Sequence, residues 1–181
     1  MLRLVFVSKN YLPSIKEAVE EYKNNPSKYD INAVKRMIVS YQNNFDAYLT
    51  DAQNASLGIG LKPGHVPSTL FWLVEGQTYI GTFDLRHSLT PSLIQEGGHI
   101  AYEIRPTFRR KGYALKGLRL CLDEAFKKGI KQALITCKAE NTASYNTMHK
   151  AMLLFGGFED EPCTKDSYIE KRIWVNTSNH Q

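Results

Sequence analysis

The chain has 181 residues, 43% hydrophobic and 23% charged, with a formal net charge of +5, which suits one soluble globular domain with a substantial core. No run approaches the ~18 apolar residues of a membrane span. The three separated cysteines, Cys121, Cys137 and Cys163, supply neither a Cys-x-x-Cys knuckle nor an even disulfide framework. The positive surplus suits an anionic ligand, but its spread along the chain argues against a nucleic-acid-binding tail or basic helix.

Residues 2–7 read as a strand and lack the cleavage pattern of a signal peptide, so a cytoplasmic location is expected. Pro13 opens a helix with Ile15, Ala18, Val19 and Tyr22 on one face and Lys16, Glu17, Glu20 and Glu21 on the other; Asn24-Asn25-Pro26 ends it. Asp30 is the expected N-cap of a second helical stretch carrying Val34, Met37, Ile38, Tyr41, Phe45 and Tyr48, with a break near Asn43-Asn44. Residues 50–68, rich in Asn, Gly, Pro and Ser, read as a loop. Strands at 70–74 and 79–85 form a hairpin around Glu75-Gly76-Gln77.

A further loop is expected from Thr90-Pro91, then a strand over 99–105. The helix after Gly112 places Ala114, Leu115, Leu118, Leu122, Ala125 and Phe126 on one side and stops at Gly129. A short buried strand at 132–137, a helix at 141–155 and paired strands at 158–161 and 168–175 complete the chain. The order is that of an α+β domain around one mixed sheet.

The most informative stretch is 104–114, Ile-Arg-Pro-Thr-Phe-Arg-Arg-Lys-Gly-Tyr-Ala, where a strand ends and a helix begins. The first turn of a helix has N–H groups without intrahelical partners and the positive end of the helix dipole. Gly112 lets the backbone approach a ligand closely, and Arg109, Arg110 and Lys111 add charge, which together suit a diphosphate. No Walker A loop occurs, and Gly58-Ile59-Gly60 lacks the third glycine of a dinucleotide-binding turn.

The spacing Arg109-x-x-Gly112-x-Ala114 resembles the (Gln/Arg)-x-x-Gly-x-(Gly/Ala) pyrophosphate loop of the GNAT family of N-acetyltransferases. The match extends over about residues 69–175 and is sharpest from Gly97 to Asn141. Phe71-Trp72-Leu73-Val74, Leu85-Arg86-His87 and Gly97-Gly98-His99-Ile100 look like a bacterial subgroup of uncharacterised predicted acetyltransferases. The resemblance implies a single-domain GNAT-like fold over 1–181, with a mixed, mostly antiparallel sheet of six to seven strands and about four helices. Residues 1–68 would frame the acceptor site. It also implies acetyl-CoA as co-substrate, no metal, a small-molecule amine as acceptor, and compatibility with a homodimer.

In the resembling family, the backbone before the loop pairs with the pantetheine arm, which here means Ile104 and Arg105. The amides of Arg110, Lys111, Gly112, Tyr113 and Ala114 would hold the pyrophosphate, and the Arg109, Arg110 and Lys111 side chains would contact phosphate. Asn141 and Ser144 would face the cofactor at the next helix start; Asn141 reads equally as that helix's N-cap. Family members commonly carry a tyrosine acid seven residues after the Asn. Here that position is Met148, with Tyr145 and His149 as neighbours.

Transfer to an amine needs a base, and the face His99–Ala101–Glu103–Arg105 of the strand offers His99 and Glu103 as candidates. Arg86 and His87 could recognise a carboxylate on the acceptor, or simply be a solvated strand end. Two other functions compete: a CoA-binding regulatory module without chemistry, motivated by Met148, and a nucleic-acid-binding protein using Arg109–Lys111, which the dispersed charge disfavours.

Overall fold

In the computed structural model, residues 1–25, 31–165 and 167–177 are described. Strand β1 (Leu2–Phe6) leads into α1 (Leu12–Asn24), α2 (Asn32–Asn43) and α3 (Phe45–Leu57). The hairpin of β2 (Ser68–Glu75) and β3 (Thr78–Arg86) follows, then a short α4 (Pro91–Gln95) and β4 (Ile100–Ile104). The chain continues through α5 (Tyr113–Lys127), β5 (Gln132–Lys138), α6 (Thr142–Phe155), β6 (Gly157–Thr164) and β7 (Ile169–Asn176).

Several expectations change. The loop assigned to 50–68 begins only after Leu57, because Asn44 caps a new helix through Ala47 N–H and Gly58, left-handed at φ 75°, ends it. Thr90-Pro91 starts a helix rather than a loop: the Thr90 side chain accepts from Leu93 N–H. Six helices therefore stand among the described residues, where about four were expected. Phe126, placed on the buried side of its helix, is 45% exposed; Cys121 takes the interior position. The expected caps Pro26 and Asp30 lie outside the described residues.

The single mixed sheet is instead two sheets, ordered β1-β2-β3-β4 and β5-β7-β6, with every pairing antiparallel. They meet where β4 begins. His99 N–H donates to Leu134 O at 2.7 Å, and Leu134 N–H donates to His99 Nδ1 at 3.0 Å. Gly98 makes the approach feasible: it is left-handed (φ 58°), and a Cβ there would collide with the Leu134 carbonyl. The sequence marked 99–105 as a strand and 132–137 as a short buried strand but named no partner for either, so the division was not visible there.

Two cores lie on opposite faces of the first sheet. Trp72, Val74 and Tyr79 pack against Ile15, Val19, Val34 and Met37 of α1 and α2. Leu73, Phe83 and Leu85 pack against Leu118 and Leu122 of α5 and Met148 of α6. At the bulge between Leu73 and Val74, Ile80 is the extra residue; the change of parity puts Ile80 in the same core as Phe83, and Tyr79, paired with Val74, in the other.

Candidate active site

Past the His99–Leu134 joint, a cleft of about 900 Å³ lies between β4, the loop preceding α5 and the first turns of α6. Tyr102, Ile104, Arg110, Gly112, Asn141 and Ser144 are among its lining residues. Arg105 N–H donates to Ile80 O and Arg86 N–H to His99 O, so main-chain groups of odd-numbered β4 residues point to β3. Antiparallel alternation then directs the amides of Tyr102 and Ile104 toward the cleft. The Ile104 amide thus faces the cleft, as does that of Tyr102, whereas the amide of Arg105 belongs to the sheet.

The loop has the backbone for an anion. Arg110 (φ 60°) and Gly112 (φ 79°) are left-handed, a conformation from which main-chain N–H groups build anion-binding concavities. Gly112 is the N-cap of α5 and no side chain caps it, which leaves the helix's first amides for a ligand. A Cβ at Gly112 would meet nothing within 4 Å, so this side of the loop is open. Tyr113 and Ala114 supply the next two amides.

The loop side chains depart from expectation. Arg109 turns back on β4, its Nε donating to Ile104 O at 3.0 Å and its Nη2 to Glu103 Oε1 at 2.9 Å. It braces the turn rather than reaching outward. Lys111 lies over the Phe108 ring, 5.5 Å from its centroid. Arg110 is the loop cation that remains exposed on the cleft.

At the opposite wall, Asn141 Oδ1 accepts from Ser144 N–H at 3.2 Å. It is the α6 N-cap, as one of its two readings held, and it also lines the cleft. Ser144 Oγ lies 3.1 Å from Tyr102 Oη and 3.6 Å from Met148 Sδ. Met148 is fully buried. Tyr145 faces away from the cleft, its hydroxyl donating to Glu159 of β6 at 2.9 Å, and its ring lies near His149.

Glu103 lines the cleft, its side chain 11% exposed and paired with Arg109. His99 does not line it. A backbone N–H can only donate, so His99 Nδ1 is the unprotonated nitrogen and the ring proton sits on Nε2. Burial, with Arg86 nearby, pushes this imidazole down to about 4. Arg86 and His87 are also apart from the cleft. Arg86 Nη1 donates to Gly97 O and Gly98 O, and His87 Nε2 lies 2.8 Å from Thr69 Oγ1.

A pH dependence follows from His99. Its folded-state value lies below the ordinary 6.5, so the unfolded chain takes up a proton first. The associated stability is complete above pH 6.5 and falls as pH drops toward 4, by about 3 kcal/mol. His99→Asn retains an acceptor near Nδ1 and removes the titration. Denaturant unfolding of the variant should show that much less loss between these pH values; equal losses in both proteins would contradict the assignment.

Sequence reasoning missed Tyr102, Thr147 and Lys150 as cleft residues. The signal for the last two was the helical spacing of Ala143, Thr147 and Lys150 on one face of α6. For Tyr102 the strand parity gave the face but not what lay opposite.

The family model described as an acetyltransferase (GNAT) domain matches residues 16–152. No curated protein matches the chain. Among solved structures, a ribosomal-protein-S5-alanine acetyltransferase from Vibrio fischeri is similar at 11% identity and TM-score 0.66, over 99% of this chain and 95% of that one. A mutant form of the spermidine/spermine N-acetyltransferase from Vibrio cholerae matches at 13% identity and TM-score 0.58, over 98% and 96%. A ribosomal L7/L12 alpha-N-protein acetyltransferase in complex with coenzyme A matches at 12% identity and TM-score 0.58, also over 98% and 96%. At these identities the likeness is one of fold.

Proposed function

The chain belongs to the GNAT acetyltransferase family, and from that premise we propose that it moves the acetyl group of acetyl-CoA to the amine of a small molecule by direct attack. The observation that carries this reading is the uncapped, left-handed turn at Gly112, opening onto a cleft that separates β4 from α6. The amides from Arg110 to Ala114 hold the diphosphate, with the Arg110 side chain adding charge. Ile104 and Tyr102 offer main-chain hydrogen bonds along the arm, and Asn141 and Ser144 close the opposite wall.

Acetyl-CoA supplies an acyl thioester whose carbonyl carbon the amine attacks. An N–H of the Tyr102–Ile104 strand edge is positioned to stabilise charge developing on the carbonyl oxygen. Glu103 is our choice of base over His99. It lines the cleft, whereas the His99 acceptor nitrogen is occupied by Leu134 N–H. The pairing with Arg109 keeps Glu103 oriented, and a water between carboxylate and amine completes the proton path. Helices α1–α3 cover the sheet face that Glu103 shares with Arg105, and we assign the acceptor to that side.

A panel of amines, amino acids, polyamines and aminoglycosides, assayed for thiol release from acetyl-CoA, tests the reading. With an accepted amine, Glu103→Gln should lower kcat about a hundredfold while leaving CoA affinity nearly intact. Unchanged kcat would remove Glu103 from this role. CoA binding without acceptor-stimulated thiol release across the panel, peptides included, would favour the regulatory module.

A further inference from the structure

On β4 the cleft lining begins at Tyr102, three residues beyond the His99–Leu134 joint, and its hydroxyl is the first polar side-chain group there. A ligand whose phosphates sit at Gly112 enters from the C-terminal end of β4. Its flexible arm must run inward along Ile104 toward Tyr102, two residues or about 7 Å deeper. The Tyr102 ring is stacked on Phe83 at 5.6 Å with an interplanar angle of 16°. Its hydroxyl lies 3.1 Å from Ser144 Oγ and donates to the Ser144 carbonyl across a long 3.4 Å, a bond that a charged acceptor can displace. A phenol held at both ends in this way is positioned before any ligand arrives.

Resting on the acetyltransferase reading, the geometry points to Tyr102 as the group that hydrogen-bonds the departing sulfur of CoA. The C–N bond forms, the C–S bond breaks, and the electron pair moves to sulfur. The amine proton goes to Glu103 through water, and Tyr102 keeps its own proton while donating a hydrogen bond. This fits the phenol's acidity. Burial pushes Tyr102 up to about 12, against the hydrogen bonds of Ser144 and Thr147. It therefore stays protonated at any working pH and holds a thiolate without surrendering its proton. Alternatives on α6 do not serve: Met148 carries no acidic proton, and Tyr145 is not among the cleft-lining residues, its hydroxyl turned to Glu159 on β6.

The test uses CoA itself and needs no acceptor. The thiol of bound CoA is titrated by thiolate ultraviolet absorbance in wild type and Tyr102→Phe, which retains the ring on Phe83. A hydrogen bond to a charged sulfur predicts a bound-thiol pKa about one to two units higher in the variant. The surrounding titratable and charged groups are Glu103 on β4, Cys137 on β5, Arg109 and Arg110 in the loop, Glu140 before α6 and Lys150 on α6. All are common to both proteins, so the difference isolates the hydroxyl. Should Tyr102→Phe fail to fold, site-specific 3-fluorotyrosine at 102 gives a stronger donor and should lower the thiol pKa. An unchanged thiol pKa with CoA bound overturns the assignment of Tyr102. Failure of wild type to bind CoA would instead overturn the acetyltransferase reading beneath it.

Discussion

Gly112→Asp should weaken CoA binding about a thousandfold without unfolding the protein. The Cβ enters open space, with nothing within 4 Å, so the loss is not steric. It comes from placing a carboxylate beside the ligand's diphosphate. Two unit charges about 4 Å apart repel by about 4 kcal/mol at the effective dielectric of a protein surface, which is about a thousandfold in affinity. The left-handed backbone at φ 79° is among those that Asp and Asn tolerate best after glycine. The negative charge also sits at the favourable end of the α5 dipole. Folding and binding should therefore separate. Gly112→Asn has nearly the same shape without the charge and should retain most of the affinity. Calorimetric titration with CoA distinguishes the two, and equal affinity for wild type and the folded Asp variant would refute the loop's role.

The largest effect on stability is expected at Arg105, which lies outside the cleft. Its guanidinium is 6% exposed and ties α1 to the sheet: Nη2 meets Glu21 Oε1 at 2.7 Å and Glu17 Oε2 at 3.1 Å, and Nη1 donates to Ser14 Oγ at 3.0 Å. Arg105→Ala leaves Glu21, 21% exposed, without its main partner. Breaking a buried pair costs about 3–5 kcal/mol, and the solvent access of both carboxylates favours about 3. For a chain of this size that lowers the thermal midpoint by roughly 6–12 °C.

The loss should depend on pH in a definite direction. Burial raises the Glu21 carboxyl, but hydrogen bonds from Arg105 and Thr107 prevail and hold it below its ordinary 4.5. That stability is present above pH 4.5 and is lost as pH falls through the lowered folded value. Without Arg105 the burial contribution works against the charged form. The gap between wild type and variant should narrow on acidification. Chemical denaturation at pH 7 and below pH 4.5 measures it; a gap that widens in acid would contradict the pairing.

The parts of this protein legible in its sequence are those governed by neighbours along the chain. The α5 face as far as Ala125, the hairpin at Gly76, the break at Asn44 and the Arg109–Ala114 turn follow from periodicity, glycine placement and capping chemistry, which act within a few residues. Family membership was legible for the same reason, because the Arg109–Ala114 turn that carries the resemblance is a local backbone motif. The division of the sheet, the turning back of Arg109 and the partners of the polar side chains were not. His99 meets Leu134 across 35 positions, Tyr102 meets Ser144 across 42, and Arg105 meets Glu21 across 84. Strand parity assigns each of these side chains to a face, but what lies opposite that face depends on how the helices and the second sheet dock. Tertiary packing thus decided that the histidine joins two sheets, the arginine anchors a helix, and a tyrosine on β4 reaches the inner end of the cleft.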